Sequence, residues 1–169
     1  MMASMRILIV GNSGSGKSWR ARELAQQHGL AHLDLDTIYF VPGQIAVMRP
    51  MDEILSDLHA IIAGNASWVA EGCYGDVIEA ALPFCSELVF MNPGKDVCLS
   101  NNRQRPWEPH KYGSKAQQDS MLPFLLDWVG QYYERDDNCS YACHRRLFDG
   151  FNGVKGELTA SSPANQAKA

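Results

Sequence analysis

Residues 11–18 read Gly-Asn-Ser-Gly-Ser-Gly-Lys-Ser and fill every fixed position of the G-x-x-x-x-G-K-[ST] pattern. The pattern constrains the fold, because such a loop belongs between a buried strand and the first turn of a helix. Gly11, Gly14 and Gly16 open backbone conformations closed to residues with a Cβ. Across Asn12, Ser13 and Ser15 successive N–H groups can then turn inward around an anion. Lys17 adds a mobile charge for the β- and γ-phosphates of a nucleoside triphosphate, and Ser18 offers a hydroxyl to Mg2+.

The flanks supply the required setting. Arg6 to Val10 is a short apolar, β-branched run of the kind a buried parallel strand needs, and Trp19 to Gln27 reads as a helix with Leu24 and Ala25 inward and Gly29 as its stop. Further along, His32 to Asp36 predicts a second strand ending in Asp34 and Asp36. Met51, Ile54, Leu55, Leu58, Ile61 and Ile62 recur at helical spacing. Trp68 to Ala70 predicts a third strand delivering Glu71, a helix follows over residues 75–82, and Leu88 to Met91 predicts a fourth strand. Asp96 to Arg105 reads as a helix. Residues 106–118 lose periodicity and read as a lid, and Leu122 to Tyr133 carry an apolar stripe. His144 to Phe148 is expected as a fifth strand. The chain is expected to form one domain over residues 1–158, with a disordered tail over 159–169. Strands alternating with helices imply a three-layer α/β fold, a doubly wound parallel sheet of about five strands.

Composition narrows the partners. With 15 Lys and Arg against 19 Asp and Glu the net charge is −4, which disfavours direct binding of nucleic acid, and no run is long and apolar enough for a membrane span. Five scattered cysteines and no leader-like segment predict reduced thiols in a cytoplasmic protein. Cys139, Cys143 and His144 lie close in sequence but lack the second ligand pair of a zinc site. Nothing in the sequence signals an oligomeric state.

In an open α/β sheet ligands collect at the carboxyl ends of the strands, where Asp34, Asp36 and Glu71 are expected. Asp36 could orient or deprotonate an acceptor hydroxyl, while Asp34 or Glu71, with Ser18, could support Mg2+. The same carboxylates would also serve as turn residues or helix caps. Arg103 and Arg105 end a helix just before the lid, where they could clamp phosphates or simply suit the helix dipole. Lys111 and Lys115 are weaker cationic candidates. Tyr39, Phe40, Trp68 and Tyr74 flank the acidic rim and could line an acceptor pocket or pack in the core. Two functions are compatible with this inventory: an ATP- and Mg2+-dependent kinase acting on a nucleotide or other small-molecule acceptor, and a non-enzymatic nucleotide-binding regulator or ATPase signalling through its lid to a protein partner.

The chain also resembles the small kinases of the adenylate kinase-like group that carry this phosphate-binding loop, most of all the bacterial DNA topology modulation proteins. The resemblance spans roughly residues 5–150. It rests on Arg6 to Ser18, His32 to Phe40, Trp68 to Tyr74 and Leu88 to Pro93, with the helices holding Arg103, Arg105 and Trp128 in matching order. It implies a kinase-like fold with a lid, Asp36 near the acceptor and Arg103 or Arg105 on the phosphates. The sequence departs from that family at Trp19, where it tends to have Thr, at Glu71 and Cys73, where it tends to have Asp and Asn, and at Asn92, where it tends to have Asp.

Overall fold

A computed structural model describes residues 3–44 and 46–160. Five parallel strands, β1 (Arg6–Gly11), β2 (Ala31–Asp34), β3 (Trp68–Gly72), β4 (Glu87–Asn92) and β5 (Val154–Thr159), form one sheet in the order β2-β3-β1-β4-β5. The central strand β1 pairs with β3 on one side and β4 on the other, so the chain reverses its winding direction there. Its carboxyl end is a topological switch point, the position where ligands bind in such sheets.

Both faces of the sheet are covered, which explains why β1 reads as a continuous apolar run. Ile7 and Ile9 point to one face, where α1 (Lys17–His28) packs through Ala21 and Leu24. Leu8 and Val10 point to the other, toward Ile54 and Leu58 of α3 (Met51–Gly64), Val77 and Ile78 of α4 (Gly75–Ala81) and Leu147 and Phe148 of α7 (Tyr141–Gly150). A short helical turn, α2 (Asp36–Tyr39), follows β2 directly. Helices α5 (Lys95–Arg103) and α6 (Lys115–Gly130) pack on each other and flank the segment between them, residues 104–114. No described helix is long and apolar enough to cross a membrane.

Two sequence expectations are corrected. His144 to Phe148 lies inside α7: Ser140 caps this helix by accepting a hydrogen bond from the Cys143 N–H at 3.2 Å, and the buried residues His144, Leu147 and Phe148 follow helical spacing. The fifth strand is Val154–Thr159, whose side chains are exposed in its first half and half-buried in its second, a pattern that carries little strand signal. Backbone pairing with β4 along its whole length defines it, and Thr159 is therefore ordered, while residues 161–169 of the expected tail lie outside the described residues. The expected lid also overlaps structure, since α6 starts at Lys115 with Ser114 as its cap.

His144 is fully buried. Its Nδ1 meets the Tyr132 hydroxyl at 2.7 Å and its Nε2 the Cys73 carbonyl at 2.7 Å, tying α7 to the end of β3 and to the turn after α6. Burial, with the positive charges of Lys17 and Arg135 nearby, lowers its pKa from 6.5 to about 4. The unfolded chain therefore takes up a proton below pH 6.5 that the native state refuses until about pH 4. Stability attributable to His144 is complete above 6.5 and is lost across that window, by about 3 kcal/mol in all. In denaturant titrations from pH 7.5 to 4, His144→Asn is expected to be less stable than wild type at the upper end and to show a flatter decline. Parallel curves would count against this assignment.

Candidate active site

The phosphate-binding loop sits where β1 ends and α1 begins, and its glycines have distinct jobs. Gly14 and Gly16 adopt positive φ, 77° and 95°, turning the backbone amides inward. A Cβ on Gly11 would lie 2.4 Å from the Met91 carbonyl, so this glycine permits the close approach of β4. Lys17 is buried, and its Nζ donates to the Asn12 carbonyl at 2.7 Å, which holds the ammonium within the loop. Asn12 Oδ1 and Ser15 Oγ are buried without a hydrogen-bond partner among the described residues. Unpaired polar atoms are costly in an interior and are expected where a ligand completes the network.

The loop is held from above by α5 and α6. Asn102 Nδ2 donates to the carbonyls of Ser13 at 3.1 Å and Cys98 at 2.9 Å, Ser13 Oγ donates to Asn102 Oδ1 at 3.2 Å, and Asn101 Nδ2 donates to the Gly14 carbonyl at 2.8 Å. Asn12 Nδ2 reaches the Val129 carbonyl at the end of α6, 3.2 Å away. Sequence inspection had singled out the neighbouring arginines instead. Arg103 is exposed on the last turn of α5, and Arg105 pairs with Glu108 at 3.6 Å. Neither forms a hydrogen bond or ion pair with the loop.

Acidic residues gather on the same rim. Ser18 Oγ donates to Glu71 Oε1 at 2.8 Å, and the buried Glu71 also faces His32 Nε2 at 3.5 Å. Asp34 is the register partner of Glu71 across β2 and β3. Burial, then the negative charges of Glu71 and Asp36, raises the Asp34 pKa to about 6. This oxygen-only donor set fits a hard cation, which relieves carboxylate crowding. No group of three or more His, Cys, Asp or Glu among the described residues is arranged to hold a metal ion.

Asp36 stands across the rim. One oxygen accepts from the Tyr74 hydroxyl and the other meets Lys111 Nζ at 2.7 Å. Burial opposes its charge, but Lys111 and Tyr74 outweigh that and hold its pKa below the ordinary carboxylate value. Beside it opens a cleft of about 250 Å³ lined by Asp36, Thr37, Phe40, Gln44, His110 and Lys111, with Val41, Pro42 and Gly43 completing the wall. Of the aromatic candidates, Phe40 lines this cleft, Tyr39 and Tyr74 stack on each other with centroids 3.8 Å apart, and Trp68 is buried in the core. Lys115 pairs with Asp119 on α6, away from the rim carboxylates. Asn92 is spent on Tyr133 and Glu157.

One cation escaped the sequence reading. Arg135, on the turn after α6, lies 4.4 Å over the Trp128 ring and pairs through Nη1 with Asp137, while its buried Nε and Nη2 have no partner among the described residues. Trp128 precedes Val129, which touches the loop, and Arg135 and Lys17 both act on His144.

The comparisons agree on architecture. By sequence the chain matches no family model and no curated protein. By structure it is similar to an unliganded sugar kinase from Janibacter sp., with a TM-score of 0.53 and 14% identity over 96% of this chain and 89% of that one. It is also similar to a gluconokinase from Sinorhizobium meliloti, with a TM-score of 0.52 and 18% identity over 98% and 88%. The chain has the fold of these kinases.

Gly14 gives a direct test of the loop. A Cβ there would meet Asn102 Nδ2 at 2.4 Å and the Cys98 carbonyl at 2.5 Å, at a φ that L residues rarely adopt. Gly14→Ala is expected to weaken Mg·ATP binding by about tenfold or more in isothermal titration while the far-ultraviolet circular dichroism stays native.

Proposed function

We propose that the protein is an ATP- and Mg2+-dependent phosphotransferase that moves the γ-phosphate of ATP to a hydroxyl of a small molecule seated beside Asp36. The observation that carries this reading is the gathering on one rim of a phosphate-binding loop, the Ser18–Glu71 pair and an Asp36 carboxylate facing a cleft. The loop amides and Lys17 bind the triphosphate, and Lys17 neutralises charge that develops on the transferring group. Ser18, supported by Glu71 and Asp34, would hold Mg2+, which would supply charge neutralisation for the triphosphate. Asp36 orients the acceptor hydroxyl and takes its proton as the oxygen attacks phosphorus. Arg135, whose buried Nε and Nη2 have no partner among the described residues, is the candidate for a cationic clamp; Arg103 and Arg105 would join it only if the lid rearranges.

The acceptor cleft favours a sugar or sugar acid over a nucleotide. Its lining holds a single lysine, already paired, and no arginine, whereas a phosphate dianion calls for a fork of donors. Arg49, on the chain segment beyond the cleft wall, turns instead to Asp57 at 2.7 Å and Glu53 at 3.4 Å. That the two proteins sharing the fold are a sugar kinase and a gluconokinase supports the same class. The motif resemblance to DNA topology modulation proteins supports the kinase reading without requiring DNA as a ligand. A cytoplasmic setting suits a protein that consumes ATP.

The test measures phosphate transfer from labelled ATP to a panel of sugars, sugar acids and nucleoside monophosphates. Turnover stimulated by a sugar or sugar acid is expected, with Asp36→Asn lowering kcat by about a hundredfold or more and Lys17→Ala abolishing tight ATP binding. Tight ATP binding with no transfer to any acceptor would replace the enzyme with a nucleotide-responsive regulator. Retained affinity in Lys17→Ala would refute the site itself.

A further inference from the structure

The segment 104–114 is anchored at two places. Gln118 of α6 holds its stem, accepting from the Glu108 N–H at 2.8 Å and donating to the Pro106 carbonyl at 3.0 Å. Its tip reaches across to the opposite side of the cleft, where Lys111 Nζ lies 2.7 Å from Asp36 Oδ2 and 3.5 Å from Glu108 Oε1. Asp36 belongs to α2 and Lys111 to the segment between α5 and α6, so this ion pair joins the two walls of the acceptor cleft. It also engages the carboxylate on both sides, with Tyr74 donating to Oδ1 and Lys111 meeting Oδ2.

We propose that Lys111 is a positioning residue, a latch that closes the segment 104–114 over the acceptor cleft and occupies Asp36 until an acceptor hydroxyl displaces it, so that water is not used in the acceptor's place. The proposal rests on the phosphotransferase reading for its consequence and on the ion pair alone for its geometry. The charged groups around the latch agree with it. Lys17 faces Asp36 from the phosphate loop, Asp34 stands beside it on the rim, and Glu108 holds the other side of Lys111, so the ammonium has two anionic seats and can shift from one toward the other without being stranded. The reaction suppressed is ordinary hydrolysis: the water oxygen joins the γ-phosphorus as the bond to the ADP oxygen breaks, giving ADP, phosphate and a proton. An exposed Trp107 and the nearby Tyr112 place two chymotrypsin sites in the segment, which makes its opening measurable without knowing the acceptor.

The experiment uses the full chain with Mg·ATP and no acceptor. Lys111→Ala is expected to speed chymotrypsin cleavage after Trp107 and Tyr112 by roughly threefold. Asp36→Asn should do the same, the double variant should add nothing, and Lys111→Arg should restore protection. Acceptor-free ATP hydrolysis is expected to rise by a similar factor in Lys111→Ala, and the rise should vanish when Asp36→Asn is added. Unchanged cleavage, or additive effects of the two substitutions, would overturn the latch. Faster cleavage with hydrolysis at the wild-type rate would overturn its role in excluding water. If the segment opens as expected and no form of the protein turns over ATP with any acceptor, the latch stands and the phosphotransferase reading falls.

Discussion

Everything in this molecule depends on the double burial of β1. Ile7 to Val10 are covered on both faces by helices, and the strand is paired on both edges, so its position and register have no freedom. The carboxyl end of such a strand is the one place where a loop of small, conformationally demanding residues can be held without side chains of its own to pack. Gly11 to Gly16 use that rigidity: Gly11 lets β4 approach, Gly14 lets α5 approach, and Asn101 and Asn102 fix the loop carbonyls from the far side. A phosphate cradle needs amides aimed in advance of binding, and here the aim comes from neighbours on three elements.

What was legible in the sequence follows from where the physics is local. The loop pattern, the helix after it, and the buried strands β1, β3 and β4 announce themselves through glycine spacing and apolar runs. The amphipathic spacing of α3 is equally plain. The strand β5 was invisible because an edge strand with exposed side chains is defined by pairing with a neighbour far away in sequence, as Val154 is with Glu87. The misreading of His144 to Phe148 has a related cause: five residues with only Leu147 and Phe148 apolar fit either period, and the cap at Ser140 that decides for helix lies outside the segment.

The candidate site divides the same way. From the sequence Asp34 and Glu71 could be placed only on the same rim; the strand order, with β3 beside β1, is what brings Glu71 to Ser18. The cations could not be placed even so far. Arg103 and Arg105 stood out by type and by position before a loop, yet the helix turns its amides, Asn101 and Asn102, to the phosphate loop. The cation whose buried nitrogens lack a partner among the described residues is Arg135, on the turn after α6. Which face a helix presents depends on its packing partners, and α5 has too thin an apolar stripe, with Cys98 and Asn102 its buried residues, for the sequence to declare that face.

The electrostatics of the rim then explain why this particular set of residues belongs together. Three carboxylates, Asp34, Asp36 and Glu71, converge where the sheet ends, and their mutual repulsion is uneven: Asp34 is pushed toward its protonated form, while Asp36 is kept charged by Lys111. Such crowding is unfavourable for folding alone and is tolerated where cations complete it. Lys17 and Lys111 supply two of those charges from the chain, one from each side of the rim. The donor set of Ser18, Glu71 and Asp34 has the chemistry for a third from Mg2+. The distribution is asymmetric, with Ser18 and Glu71 beside the loop that follows β1 and the lysine-neutralised Asp36 beside the cleft. A carboxylate neutralised by Lys111 of the segment 104–114 differs in kind from one neutralised within the sheet, because the charge opposite it depends on where that segment lies.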